Sequence, residues 1–509
     1  MPRLRVLRAL LLASAIGLGQ PSPAAEQGQV STISQFSDVQ PSDWAYQALS
    51  NLIERYGCVA GYPNGSVDGN QAISRYEAAA LLNACLDRVT EVTDALKRLT
   101  QEFARELAVL RGRVDALDAK VGVLEALQFS TTTKLRGEVN FVLGGNHFGG
   151  SDSAMVQDSR GRFGATTFNY DLRLNLETSF TGEDTLHLKL RTGDFDESSN
   201  SFYGAGPSAL STLEVAFLEE GRPNDLAVYK LYYQTPVGGG FTTLVGARVE
   251  QTDLFALWPS VYPETTVLDW FTLSGSPTAY DNELGTGASL WWESPGGFSL
   301  SAGYVATNGS NGDPQNGGIA TAGSLGTASV QLGFLQPQWA IAGVYSRIQN
   351  GDDAIPYATN FTLNSVQQPG TTHAFALGGY WQPLNSGWMP SISAGWSING
   401  SSYDRDTPSD ALVSTSQSWS VGIQWADVLW KQNTLGMAVG QPPFATRLVS
   451  GEQPNDGNYA WEWWYAFQVS DNVAVTPALF YLSRPLGADT APGESFNQLG
   501  ALIKTTFRF

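Results

Sequence analysis

From about residue 130 to its end, the chain repeats every second position, and the two faces so defined differ in chemistry. Within 170–180, Tyr170, Leu172, Leu174, Leu176 and Phe180 fall on one face, and Asp171, Arg173, Asn175 and Glu177 on the other. Leu186, Leu188 and Leu190 alternate with His187, Lys189 and Arg191, and Leu135, Val139, Phe141 and Leu143 with Lys134, Arg136, Glu138 and Asn140. Near the end, Tyr459, Trp461, Trp463, Tyr465, Phe467 and Val469 share a face. A sandwich in water turns its apolar faces inward and its polar faces outward. Here the polar faces carry full charges and the apolar faces are rich in aromatics, which fits strands with water on one side and lipid on the other.

Connection lengths give an independent test. Short turns fall at about 181–184, 236–240, 294–297, 336–338, 383–388, 430–433 and 470–472. Between them lie long polar stretches at about 144–165, 195–224, 251–283, 309–324, 349–370, 401–414, 442–457 and 485–495. Seven short turns alternating with eight long loops define about 16 strands, an even number, as a single-chain membrane barrel requires. Both barrel ends then fall on the short-turn side. Residues 211–220 could form a strand and are placed in the second loop to keep the alternation. The fold expected is mainly β: a transmembrane antiparallel barrel over 129–509, closed so that lipid meets no unpaired strand edge. The chain closes on Phe507-Arg508-Phe509, with Ile503, Phe507 and Phe509 on one face and Lys504 and Arg508 on the other. A terminal aromatic on an amphipathic last strand resembles the insertion signal of outer-membrane proteins.

Composition narrows the rest. With 29 basic and 48 acidic residues the net charge is −19, which repels nucleic acid. Three His, four Met and two Cys are too scattered for a clustered metal site, and no cofactor is expected. Arg3, Arg5 and Arg8, an apolar run over 9–18 and Pro-Ser-Pro-Ala-Ala at 21–25 have the order of a secretory signal spanning 1–25. Cys58 and Cys85 are then a disulfide candidate in an exported protein, with two buried free thiols as the alternative.

Residues 34–88 carry Phe36-Ser-Asp38-Val, then Trp44-Ala and a helical stretch to Tyr56, a turn at Gly61-Tyr62-Pro-Asn-Gly, and Ser74-Arg75-Tyr-Glu77, which opens a second helix as a capping box. These features resemble the S-layer homology (SLH) module. The resemblance implies binding to cell-wall glycans with acidic groups, with Arg75 at the position of the family's Arg and Asp38, Trp44, Tyr62 and Glu77 in its motifs. A guanidinium suits a carboxylate. The alternative is that Arg75 pairs with Glu77 or caps a helix. One module binds a wall weakly unless oligomerisation adds avidity. From Leu86, apolar residues follow at steps of three and four through Val89, Val92, Leu96, Leu99, Phe103, Leu107, Leu110, Val114, Leu117, Val121 and Leu124. That seam predicts a coiled-coil stalk over 89–128, self-associated, with packing on its own chain as the alternative.

Together these parts resemble the SLH-bearing outer-membrane porins of cyanobacteria, known as iron-uptake porins and grouped with the carbohydrate-selective (OprB-type) porins. The resemblance implies a homotrimer in the outer membrane, its N-terminal module in the periplasm on peptidoglycan or a linked wall polysaccharide, passing small solutes or ions. Loop 251–283, after the fifth strand, is where trimeric porins fold a loop into the lumen. It holds Asp253, Glu264, Asp269, Asp281 and Glu283 and no Lys or Arg. Facing it, Arg136, Arg173, Lys189, Arg191, Arg248 and Lys504 are candidate wall cations, and the two surfaces would set up a transverse field at a constriction. The alternative is an exposed cap over a wide channel. Two other functions remain in competition: a structural membrane–wall tether, and a secreted SLH-anchored glycoside hydrolase. The last is disfavoured because neighbouring carboxylates such as Glu219 and Glu220 point to opposite faces of a strand, so no enzyme activity is expected.

Overall fold

The computed structural model describes residues 44–56, 75–86, 94–104 and 107 of the N-terminal region. From 132 onward it describes all residues but 220–221, 264–266, 282, 351–353, 367–369, 386 and 405–410. The chain divides into two compact units, Met1–Gln128 and Phe129–Phe509.

In the first unit, α1 (Trp44–Tyr56), α2 (Arg75–Leu86) and α3 (Asp94–Glu102) share one core. Apolar residues at helical spacing supply it: Ala45, Tyr46, Leu49 and Leu52 from α1, and Ala78, Ala79, Leu81, Leu82 and Cys85 from α2. Leu96, Leu99, Phe103 and Leu107 are buried in that same core, and the Arg98 guanidinium lies 4.0 Å from the Trp44 ring centre. Within the described residues this part of the seam is therefore covered by its own chain, which removes the exposed stripe that argued for self-association there. The seam from 108 to 128, the signal region, Asp38 and Tyr62 lie outside the described residues. Cys85 is disulfide-bonded, and Cys58, the chain's other cysteine, also lies outside them.

The second unit contains sixteen strands: β1 (Thr133–Gly150), β2 (Thr167–Thr178), β3 (Thr185–Gly193), β4 (Ala227–Gly238), β5 (Phe241–Glu250), β6 (Leu284–Glu293), β7 (Phe298–Ala306) and β8 (Gly326–Gln336), followed by β9 (Trp339–Gln349), β10 (Gly370–Trp381), β11 (Ser391–Tyr403), β12 (Val413–Ala426), β13 (Thr434–Leu448), β14 (Tyr459–Ser470), β15 (Val473–Ser483) and β16 (Phe496–Arg508). Each pairs antiparallel with its sequence neighbours, and β1 closes on β16, so the expected 16-stranded barrel forms. The final residue completes the closure: Phe509 exchanges backbone hydrogen bonds with Gly137 of β1, at 2.7 and 3.0 Å. A Cβ on Gly137 would meet the Phe509 ring, so the ring lies where β1 has no side chain.

The alternation survives as two faces. Leu135, Phe141, Leu143, Leu290, Leu300, Leu332, Leu377, Leu479 and Ile503 are exposed on the outer wall, as lipid contact requires. Beside the short turns, Phe298, Phe334 and Trp339 form a chain of rings with centres 4.5 and 5.4 Å apart, part of an aromatic girdle.

Two boundaries differ from expectation. β1 runs to Gly150 and β13 to Leu448, beyond the ends marked by their apolar residues, because paired backbone continues where glycine and polar side chains obscure the period. Residues 211–219 stay out of the barrel; a single bridge, Leu213 to Leu268, ties the second long loop (loop 2) to the third (loop 3). The inward face is also not uniformly wet. Val142, Phe480, Leu482 and Leu502 of the wall pack with Phe202, Leu210, Leu213, Leu268, Trp270 and Phe271 of these two loops in one apolar cluster.

Candidate permeation site

The inward positions of β2–β4 form a ladder of charge. Arg173 is the cross-strand partner of Arg191, and Lys189 of Lys230. Such like-charge pairs destabilise a sheet unless countercharges intervene. Asp171 supplies one: its carboxylate accepts from Arg173 Nε at 2.6 Å and from Arg191 Nε at 2.7 Å. Glu214, from loop 2, accepts from Arg173 Nη1 at 2.7 Å. Between Lys189 and Leu190 the β3–β4 register slips by one, leaving Tyr229 as the extra residue of a bulge. Its ring lies 5.0 Å from Lys189 Nζ and 5.2 Å from the Arg191 guanidinium.

Loop 3 begins with the 3-10 turn Gln251–Leu254. Asp253 caps it by accepting from Glu250 N at 3.1 Å, and Lys230 Nζ is bound by both Glu250 and Asp253, the latter at 2.9 Å. The loop then runs along the opposite inner wall, β6–β12, where small residues let its backbone approach. Ser289 donates to Leu254 O at 2.8 Å, Ser346 to Ala279 O at 2.8 Å, and Ser418 to Gly275 O at 2.8 Å. Ser393 accepts from Val261 N and Tyr262 N, at 2.9 and 3.1 Å. Gly275 has φ +67, and a Cβ there or on Gly395 would collide with the facing backbone, so the crossing depends on this glycine pair.

The far end of the loop is held by Glu462 of β14, which is fully buried. It accepts from Tyr262 Oη at 2.8 Å and from Leu268 N at 2.7 Å, while Trp464 Nε1 donates to Tyr262 Oη at 2.9 Å.

Between this loop and the β2–β5 wall lies a polar cavity of about 260 Å³, lined by Arg173, Lys189, Arg191 and Lys230 of the wall and by Asp253, Trp258 and Asp269 of the loop. Glu214, Tyr229 and Glu250 also line it. Burial pushes the Asp269 carboxyl up to about 7, against the hydrogen bond it accepts from Tyr357 and the attraction of Arg191. Asp253 is also raised by burial, in spite of Lys230.

The expected constriction residues therefore separate. Asp253 and Asp269 line one cavity with Arg173, Lys189 and Arg191. Asp281, buried and raised well above the carboxylate range by that burial, accepts from Thr327 at 2.7 Å, and Glu283 accepts from Thr307; both lie away from the cations. Glu264 lies outside the described residues. Arg136 is mostly exposed, 4.0 Å from Glu177, and Lys504 is buried opposite Val142; neither lines the cavity. Arg248 is a correction. It pairs with Leu231 and so shares the outward face, because a bulge at Ala247 shifts the period, and its Nε donates to Tyr229 O at 3.4 Å.

Lys230, Glu250, Glu214 and Glu462 were not singled out by sequence. Lys230 and Glu462 left a signal, each being the lone charge in an aromatic-rich strand run, 228–233 and 459–467. In the first unit, Trp44 stacks under Arg98, Glu77 is exposed, and Arg75 opens α2.

Comparison with known proteins places the chain. Residues 91–509 match the carbohydrate-selective porin, OprB family, and residues 35–79 match the S-layer homology domain. The uncharacterized protein alr4550 of Nostoc sp. is 33% identical over 95% of this chain and 86% of its own length. Outer membrane protein SlpA of Thermus thermophilus is 34% identical over 110 residues, 18% of this chain and 12% of its own. Among solved structures, Pseudomonas putida OprB aligns with 74% of this chain and 94% of its own at 14% identity and TM-score 0.47. An anion-selective porin from Comamonas acidovorans aligns with 74% and 99% at 12% identity and TM-score 0.46. The chain is an outer-membrane protein of the OprB family of carbohydrate-selective porins and carries an S-layer homology domain before its barrel.

Proposed function

We propose that the chain is a passive diffusion channel for small hydrophilic solutes, carbohydrates foremost, whose narrowest section is the cavity between loop 3 and β2–β4. One observation carries this reading: Arg173, Lys189, Arg191 and Lys230 of the wall and Asp253 and Asp269 of loop 3 line one cavity of about 260 Å³. Opposed cations and carboxylates give a transverse field and alternate donors with acceptors, which suits polyhydroxylated solutes. Inorganic ions, iron included, would pass as hydrated species without a dedicated ligand set.

The SLH domain, in this reading, ties the barrel to peptidoglycan or a linked wall polysaccharide through Asp38, Trp44, Tyr62, Arg75 and Glu77, and a homotrimer supplies the avidity a single module lacks. The test is reconstitution of purified protein in planar bilayers, comparing ion conductance with sugar permeation. Deleting about ten residues of loop 3 should widen the pore and raise conductance. Unchanged conductance would place the constriction elsewhere, and absent conductance would favour a structural tether. Wall binding is tested by sedimentation with purified peptidoglycan, from which Arg75→Ala should release the protein.

A further inference from the structure

The outer wall carries a small basic cluster at the edge where the long loops begin. Arg347 of β9 and His373 of β10 are direct cross-strand partners, in line with the pair Tyr345 and Phe375. All four occupy outward positions, the face on which Ile341 and Leu377 are exposed. Tyr345 Oη lies 2.8 Å from His373 Nδ1, and its ring centre 4.8 Å from that of Phe375. Arg347 is exposed, and its Nη1 donates to Gln349 Oε1 at 3.2 Å. The flanking register positions are Ala328 and Gly400, which leave the cluster open from the side. Among the described residues no carboxylate lies within 4.0 Å of Arg347, on a chain whose net charge is −19.

Its height is set by the strand. Trp339 stands in the short-turn aromatic girdle, eight residues before Arg347. At about 3.3 Å per residue and a tilt of about 40°, eight residues climb roughly 20 Å along the membrane normal. The apolar band is about 25 Å tall. The guanidinium, with the reach of its side chain, therefore arrives at the headgroups of the outer leaflet, on the lipid side of the wall.

We propose that Arg347, His373 and Tyr345 form a binding site for the anionic headgroup of an outer-leaflet lipid. The guanidinium fork fits a phosphate or carboxylate with two parallel hydrogen bonds. The His373 ring, held 2.8 Å from the Tyr345 hydroxyl, stands directly across the strand from the guanidinium as a second polar group. Phe375, one step deeper, lies where the acyl chain of that lipid descends. A lone arginine at this level would only extend its head into water; the cross-strand pairing with His373 and Tyr345 on an open stretch of wall makes a site.

The test uses full-length protein purified from bilayers of equal phosphatidylglycerol and phosphatidylcholine, with retained lipids counted by native mass spectrometry. The wild type should retain phosphatidylglycerol preferentially. R347Q/H373Q should lower that preference about fivefold, the worth of one surface cation, with unchanged channel conductance reporting an intact barrel. R162Q, in the first-loop helix Ser153–Phe163 where the exposed Arg162 pairs with Asp158 at 3.6 Å, should retain the wild-type preference. Equal preference in wild type and R347Q/H373Q overturns the proposal, as does an equal fall in R162Q. Displacement of the retained lipid by inorganic phosphate would identify a free-anion site instead and overturn the lipid assignment.

Discussion

Lys230 of β4 holds Asp253, the cap of the first turn of loop 3, at 2.9 Å, so one ammonium fixes where the loop leaves the wall and also lines the cavity it leaves behind. Glu250 binds the same nitrogen. Lys230→Met strands two buried carboxylates. Removing one partner of a buried ion pair costs about 3–5 kcal/mol, so the heat-unfolding midpoint of the detergent-solubilised barrel should fall by several degrees. Reversal potentials in a KCl gradient should also shift toward cations. An unchanged potential would show that Lys230 does not face the permeation path.

Glu462→Leu removes the acceptor for Tyr262 Oη and Leu268 N at the far end of the loop. Leaving buried donors unpaired costs about 1–3 kcal/mol each. The serine contacts along β6–β12 remain, so the barrel should fold while this end of loop 3 loosens. Single-channel recordings should show added current noise and a higher mean conductance, and limited proteolysis should cut loop 3 faster than in the wild type.

Asp269, pushed up to about 7 by burial, predicts a pH-dependent pore. A raised carboxyl is neutral below its pKa and negative above it, so moving from pH 5.5 to 8.5 adds one negative charge to the cavity. The K⁺/Cl⁻ permeability ratio should rise over that window. Asp269→Asn should flatten the rise, and a variant that keeps the full pH response would assign it to another group.

Gly137→Val places a branched side chain where the Phe509 ring lies. The ring can swing away, so the cost falls on the last backbone pairing between Gly137 and Phe509. Folded barrel, measured as the heat-modifiable band on gels, should drop several-fold, and deleting Phe509 from the wild type should do the same. Deleting Phe509 from the Gly137→Val variant should add little, because both changes act on one contact.

The barrel was legible in the sequence because lipid and water lie on opposite sides of every strand, so each single-residue step must switch chemistry. Leu172, Arg173 and Leu174 already show it, and the alternation of short turns with long loops counted the strands. Arg248 misled because one extra residue, Ala247, turns it to the outward face beside Leu231, and the sequence does not mark the bulge. Lys230 and Glu462 were visible as lone charges in apolar runs, but their roles depend on loop residues that only folding brings to them. In the helical unit, Leu96 and Leu99 have the spacing of a seam for another chain, and the spacing cannot say whether the partner is a second copy or the chain's own α1 and α2.

Sequence alone thus determined the closed antiparallel sheet, its sidedness, and the presence of an acidic third loop, since each follows from local periodicity and composition. Tertiary structure decided which of that loop's carboxylates meet the basic wall. Asp253 and Asp269 do and Asp281 does not, because the path of loop 3 is set by contacts from distant strands: the serines of β6–β12, the crossing at Gly275 and Gly395, and the Glu462 clamp.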